Sequence, residues 1–130
     1  MGLCNLRHIE REMEKRKIVV ARYRHHLANH KGINLVTPQE NTKSNYAYFP
    51  VIFDGYKKTR DDVYHQLKKH NIFARKYFYP LTRHFECYHN RFDYPKTPVA
   101  EYIAERILTL PLYGDLNLNE VDRICRIILK

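Results

Sequence analysis

One stretch of the chain decides its fold: residues 59–81 have the sequence TRDDVYHQLKKHNIFARKYFYPL. Thr59 and Asp62 have the spacing of a capping box, and apolar residues then recur at helical intervals, which predicts a helix that ends near Asn71. Residues 72–78 are rich in apolar and aromatic side chains, which is typical of a short strand. The stretch therefore predicts a helix followed at once by a strand.

Further elements are predicted on both sides of this unit. Upstream, an apolar stripe predicts one long helix from about Leu3 to His30. Residues 34–45 have the composition of a loop, and Tyr46–Phe53 has the composition of a strand. Pro50 within this strand indicates an edge position or a bulge. The upstream stripe comprises Leu3, Leu6, Ile9, Met13, Val20 and Leu27.

Downstream, residues 80–96 show no periodicity, and Thr97-Pro98 marks the start of another helix. The apolar face of that helix is predicted to comprise Val99, Ile103 and Ile107. A brief strand, Leu108–Leu112, and a last helix capped by Asn117 complete the chain, and the core-facing residues of the last helix are predicted to be Val121, Ile124, Ile127 and Ile128.

This order of elements predicts an α/β (α+β) fold, in which helices cover a small three-stranded sheet. We expect residues 1–32 to form a long N-terminal linking helix and residues 33–130 to form a small C-terminal α/β domain.

Composition restricts the function only broadly. The chain has 130 residues and a formal net charge of +9, with its positive residues scattered, so anionic partners are favoured without a single basic block. No apolar run is long enough to cross a bilayer, and the charged start does not resemble a signal peptide. Three widely separated cysteines argue against a disulfide framework and predict a cytoplasmic protein.

Several kinds of catalytic or metal site are disfavoured. Ser44 is the only serine and lies in no nucleophile motif, and the four glycines form no phosphate-binding loop. His84, Cys87 and His89 are metal-compatible, but their spacing matches no usual zinc pattern, so we expect no metal site.

Basic and aromatic residues are interleaved around the end of the second predicted strand, namely Arg75, Lys76, Tyr77, Tyr79, Arg83 and His84. Such a cluster can stack bases and hold phosphates in a single-stranded nucleic acid. It can equally bind one nucleotide diphosphate. A third interpretation is that the tyrosines are ordinary strand aromatics and the arginines are solvated.

Several segments, in order, resemble the C-terminal part of the DegT/DnrJ/EryC1/StrS aminotransferases, which aminate keto sugars attached to nucleotides. The segment Thr59–Leu67 is similar to the family's R-D-x-L…L helix, Tyr77–Leu81 to its Y-x-P-L-H motif, and Leu108–Leu112 to its L-S-L-P strand. Tyr46–Val51 resembles the first strand of the family's small domain, and Arg16 and Tyr23 resemble an R…Y helix.

The resemblance implies that Arg75, Tyr77, Tyr79, Thr82 and Arg83 bind the sugar nucleotide in an intact enzyme. Thr82 stands where most members have histidine, and this Pro-Leu-Thr resembles a subgroup that makes 4-amino-4,6-dideoxy sugars on dTDP. The substrate implied is therefore a dTDP-4-keto-6-deoxyhexose.

The family's cofactor is pyridoxal phosphate, held by a lysine and an aspartate of a large domain that no segment here resembles. The resemblance therefore implies that this chain has no catalytic residue, binds no cofactor and is inactive alone. We expect a homodimer without nucleic-acid or membrane partners. The competing interpretation is a small basic nucleic-acid-binding or interaction module.

Overall fold

The computed structural model describes residues 2–88 and 96–130. In these residues the helices are α1 (Gly2–Leu6), α2 (Ile9–Leu27), α3 (Arg60–Lys69), α4 (Pro98–Arg106) and α5 (Leu118–Leu129), with a 3₁₀ turn at Thr82–His84. The strands are β1 (Ile33–Leu35), β2 (Phe49–Phe53), β3 (Arg75–Lys76) and β4 (Ile107–Leu110). The α+β class is confirmed.

The strands form one antiparallel sheet in the order β1-β2-β4-β3. The predicted count of three strands is wrong, because β1 lies where a loop was expected. Ile33–Leu35 is too short to show an alternating pattern. It is held by its pairing with Val51–Phe53, a contact between segments far apart in sequence.

Pro50 shows how a central strand can contain proline. Strand β2 lies between β1 and β4, so the expected edge position is wrong for the strand as a whole. However, β1 pairs only with residues 51–53, whereas Pro50 is paired with Thr109 of β4. Proline therefore stands where β2 has a partner on one side only, which is where a missing N–H is tolerated.

The predicted N-terminal helix is interrupted. Helix α1 ends at Leu6 and α2 begins at Ile9, with His8 outside helical geometry. No proline or glycine marks the break. Leu3 and Leu6 are exposed, so no packing among the described residues holds the first turns in line with α2, and most helical stability in proteins comes from such packing.

One core unites α2, α3, α5 and one face of the sheet. The predicted positions Val20, Leu27, Val63 and Leu67 are buried, as are the four expected residues of α5. Val99 was predicted to face inward, but it is 76% exposed, so the prediction is wrong at this position. Ala104 is the buried residue of α4, and Ile107, which was predicted to belong to this helix, lies in β4. The boundary at residue 32 stays a prediction, and the C-terminal half of α2 packs into the same core.

Polar contacts fix the ends and the pairing of the helices. Thr59 and Asp62 form the predicted capping box of α3, and the Asn117 side chain caps α5. Between α2 and α5, the carboxylate of Asp122 accepts two 2.7 Å hydrogen bonds from Arg22 and lies 2.8 Å from His26. The Arg22 hydrogen bonds hold the pKa of the Asp122 carboxyl far below its ordinary value.

None of the described helices is both long and apolar enough to span a bilayer.

Gly32 is the position where the fold requires glycine most strictly. Its φ is +80°, and a Cβ there would lie 2.2 Å from the backbone nitrogen of Tyr56. Gly55 has a similar φ of +73°, and no atom of the described residues lies within 4 Å of its Cβ position.

We expect Gly32→Ala to lower the free energy of unfolding by more than about 3 kcal/mol, because strain and a backbone clash add together. Gly55→Ala, with strain alone, should cost about 1–2 kcal/mol. Urea denaturation of both variants measures the difference, and equal losses would contradict the close approach of Gly32 to Tyr56.

Candidate functional site

The predicted site begins where β3 ends. Arg75 pairs with Thr109 and Lys76 with Leu108 across the β3–β4 ladder. Leu108 belongs to the helix-covered core and Thr109 does not, so Arg75 and Thr109 share the opposite face of the sheet. After Lys76 the chain leaves the sheet through Tyr77 and Phe78 and reaches the 3₁₀ turn.

Tyr79 lies against two cations. The guanidinium carbon of Arg60 is 4.6 Å from the centre of its ring, and Nζ of Lys76 is 5.2 Å away. Arg60 is 3% exposed, whereas Tyr79 is half exposed. A buried guanidinium against an aromatic face is a cation–π contact that fixes the ring from one side and leaves the rest of the ring available to a ligand.

The charge of Arg60 is only partly compensated. Its Nε lies 2.7 Å from Oδ1 of Asp61 without hydrogen-bond alignment, and Lys76 Nζ lies 2.7 Å from the same oxygen. Partial burial opposes ionisation of Asp61, but the Lys76 ammonium and the Arg60 guanidinium outweigh it and hold the pKa of this carboxyl below its ordinary value. Nη1 of Arg60 has no hydrogen-bond partner among the described residues.

Tyr79 and Arg83 meet in a cleft of about 550 Å³, which we call the Tyr79 cleft. Arg83 donates from Nη1 to Oε1 of Glu101 at 2.9 Å, which joins the 3₁₀ turn to α4. The other lining residues are Leu81, His84, Lys96, Ala104 and Glu105. The cleft therefore combines an aromatic ring with side chains of both charges.

Arg75 lines a different cleft, of about 230 Å³, which we call the Arg75 cleft. Its other lining residues are Ala47, Tyr48, Phe73, Thr109, Leu110, Pro111 and Leu112. Tyr77 lies beside it, with its ring 5.3 Å from that of Tyr48. Thr82 is exposed and lines neither cleft. The five predicted substrate-binding residues are thus neighbours in sequence but do not line one pocket.

Sequence reasoning missed Arg60, Tyr48 and Thr109. Arg60 could have been recognised from the sequence, because it lies on the same helical stripe as the apolar residues Val63 and Leu67. A cation on such a core-facing stripe requires a partner. Of the metal-compatible trio, His84 and Cys87 are exposed and His89 lies outside the described residues. The described residues contain no group of three metal-compatible side chains.

The chain matches the model of the DegT/DnrJ/EryC1/StrS aminotransferase family over residues 1–129. It is 41% identical to the dTDP-4-amino-4,6-dideoxy-D-glucose transaminase of Escherichia coli and 33% identical to the enzyme of that name from Shigella dysenteriae. These matches cover 98% and 95% of this chain but 35% and 34% of the relatives, so the chain spans about a third of their length.

Solved structures agree with this likeness. The structure of DesI in the presence of its TDP-sugar product superposes with a TM-score of 0.88 at 27% identity, and the match covers 98% of this chain and 33% of DesI. The aminotransferase PseC of Helicobacter pylori has the same fold, with a TM-score of 0.85 at 22% identity over 98% of this chain and 34% of its own.

Arg60→Gln tests whether the buried guanidinium holds Tyr79. A desolvated cation–π contact contributes about 2 kcal/mol, so we expect a loss of that size in unfolding free energy together with a changed amide shift at Tyr79 in NMR spectra. Arg126 is exposed, so Arg126→Gln is the matched control. It should change neither the unfolding free energy nor the amide shift of Tyr79. A Tyr79 amide signal unmoved by Arg60→Gln would contradict the contact.

Proposed function

Because the chain belongs to the DegT/DnrJ/EryC1/StrS aminotransferase family, we propose that it forms the C-terminal, substrate-facing part of an enzyme that aminates a keto sugar carried on a nucleotide. The substrate that we propose is a dTDP-4-keto-6-deoxyhexose, in line with the names of the two relatives and with Thr82 after Pro80-Leu81. The observation that carries the proposal is the Tyr79 cleft, where a ring backed by buried Arg60 meets Arg83.

In this proposal Arg75 of β3 and residues that follow the strand bind and orient the sugar nucleotide. Arg75 supplies the positive charge that a diphosphate requires, and guanidinium groups bind phosphate oxygens in pairs. Arg83, whose charge is balanced by Glu101, contacts the sugar nucleotide from the Tyr79 cleft in this proposal. Tyr77 and Tyr79 offer ring faces and hydroxyl groups to the sugar, and Thr82 offers a hydroxyl at the surface of the 3₁₀ turn.

The family is one of pyridoxal-phosphate-dependent aminotransferases, whose cofactor serves as an electron sink once a lysine holds it. The described residues do not fit that role. Burial, with Lys57 nearby, lowers the pKa of Lys58, as a nucleophilic lysine requires. However, its Nζ donates to Gln66 and to the carbonyl of Ile128 at the end of α5, and Lys58 lines neither cleft. We therefore propose that the chain alone binds no pyridoxal phosphate and transfers no amino group.

The alternative of a nucleic-acid-binding module finds little support in the charge distribution. Several cations are paired with carboxylates, as Lys15 is with Asp115 and Arg22 with Asp122, and a phosphate backbone requires unpaired cations. We propose that the chain has neither a nucleic-acid nor a membrane partner. The cytoplasmic location predicted from the cysteines also remains a proposal.

A chimera tests the proposed function. Residues 1–130 would replace the matching segment of the Escherichia coli transaminase, with turnover of a dTDP-4-keto sugar as the readout. We expect the chimera to be active and Tyr79→Phe to lower its kcat/KM about 3- to 10-fold, because one hydroxyl hydrogen bond is lost. Cofactor absorbance should be unchanged, since Tyr79 is proposed to contact the sugar.

Tyr113→Phe is the control in the same chimera, because Tyr113 is exposed and lines neither cleft. Unchanged kinetics in Tyr79→Phe would remove that residue from the substrate site. An isolated chain with a borohydride-sensitive absorbance band would refute the proposed lack of cofactor.

We further propose that the isolated chain forms a homodimer through the start of its N-terminal region. Leu3, Leu6 and Ile9 are 79%, 60% and 43% exposed, and Met13 is half-buried. Burying a leucine-sized side chain contributes about 1.5–3 kcal/mol, so two copies gain several kcal/mol by covering this stripe.

Light scattering at micromolar concentration should give the mass of a dimer, and Leu6→Glu with Met13→Glu should give a monomer, because both charges fall in the interface. Val99→Glu, at an exposed valine outside the stripe, should remain dimeric. A monomeric wild-type chain, or a dimer that survives the double substitution, would exclude this interface.

A further inference from the structure

One wall of the Arg75 cleft carries a polar group, the hydroxyl of Thr109, that no other described residue binds. Thr109 is 6% exposed, and its Oγ1 has no hydrogen-bond partner within residues 2–88 and 96–130. A covered hydroxyl without a partner costs about 1–3 kcal/mol, and native structures contain few of them. Its cross-strand neighbour on the same face is Arg75.

The guanidinium of Arg75 is exposed and, in the part of the chain that the structure describes, lies within ion-pair distance of no carboxylate. The neighbouring cations are different, because Lys76 is paired with Asp61 and Arg83 with Glu101. Arg75 therefore brings a positive charge that no described carboxylate balances to the rim of a cleft whose described lining residues include no acidic side chain.

The remaining walls are apolar or aromatic. Tyr48 and Phe73 are 56% and 71% exposed. Leu110, the last residue of β4, and Leu112, just beyond the strand, extend the wall. Pockets for drug-sized ligands begin at about 300 Å³, so a cleft of about 230 Å³ suits a small molecule or one group of a larger one.

We infer that the Arg75 cleft is an oxyanion subsite, in which Arg75 pairs with a carboxylate or phosphate group and Tyr48 and Phe73 cover the adjoining carbon atoms. The planar guanidinium group can bind two oxygens of a carboxylate or of a phosphate at once. The oxyanion has two sources in a transamination: the carboxylate of an amino-acid donor and the diphosphate of the sugar nucleotide. The choice between these sources rests on the proposed function, whereas the subsite itself rests on the residues of the cleft.

NMR titration of the isolated ¹⁵N-labelled chain tests the subsite. The probes are L-glutamate, inorganic pyrophosphate and thymidine 5′-diphosphate, with sodium chloride at equal ionic strength as the reference. We expect saturable shifts of the Phe73, Arg75 and Thr109 amides with at least one probe. Arg75→Gln should weaken binding about 10-fold or more, because a charge-assisted contact is lost.

Arg126→Gln is the matched control and should bind as the wild type does, since Arg126 lines neither cleft described at the sheet. Saturation by glutamate alone would assign the subsite to the amino donor, and saturation by the two phosphate probes would assign it to the nucleotide. Shifts no larger than those in sodium chloride, or shifts that persist in Arg75→Gln, would overturn the inference. The titration needs neither cofactor nor chimera, so its failure is distinct from failure of the proposed function.

Discussion

The hydroxyl of Tyr23 donates a 3.0 Å hydrogen bond to the carbonyl of Pro111, and the ring stacks on Phe49 at 4.9 Å. This fully buried tyrosine thereby joins helix α2, the central strand β2 and the segment that leaves β4. The three segments are far apart in sequence, and the contacts of Tyr23 bring them together. The same contact fixes Pro111, a wall of the Arg75 cleft, so the packing of α2 helps to shape a surface on the other side of the sheet.

Local chemistry was sufficient to predict α3, α4 and α5, because their starting signals lie within a few residues of each helix. It was insufficient for β1, for the break between α1 and α2, and for the setting of Pro50. β1 and the setting of Pro50 depend on which distant segments pair with these residues. The break between α1 and α2 depends on the lack of a packing partner among the described residues. Residues such as Val99 show the same limit, since helical spacing identifies an apolar face without showing what covers it.

The site could be predicted only as a region. Resemblance to a known motif placed five residues together after the second predicted strand, but pairing of β3 with β4 sends Arg75 to one side while the following turn carries Tyr79 and Arg83 to another cleft. The partners of these residues come from elsewhere: Arg60 from α3, Glu101 from α4 and Thr109 from β4. Such partners become visible only when the sheet order is known.

The sheet also has unusually short borders. Its two outer strands, β1 and β3, contain three and two residues, and the chain turns away from each soon afterwards. A long open border offers unpaired amide and carbonyl groups to strands of other molecules, which is a common route to aggregation. Here β1 and β3 cover part of the outward borders of the inner strands β2 and β4, and both are too short to pair at length with a strand of another molecule. A chain with several solvent-facing aromatic rings can therefore expose them for binding while giving neighbouring chains little backbone on which to build an intermolecular sheet.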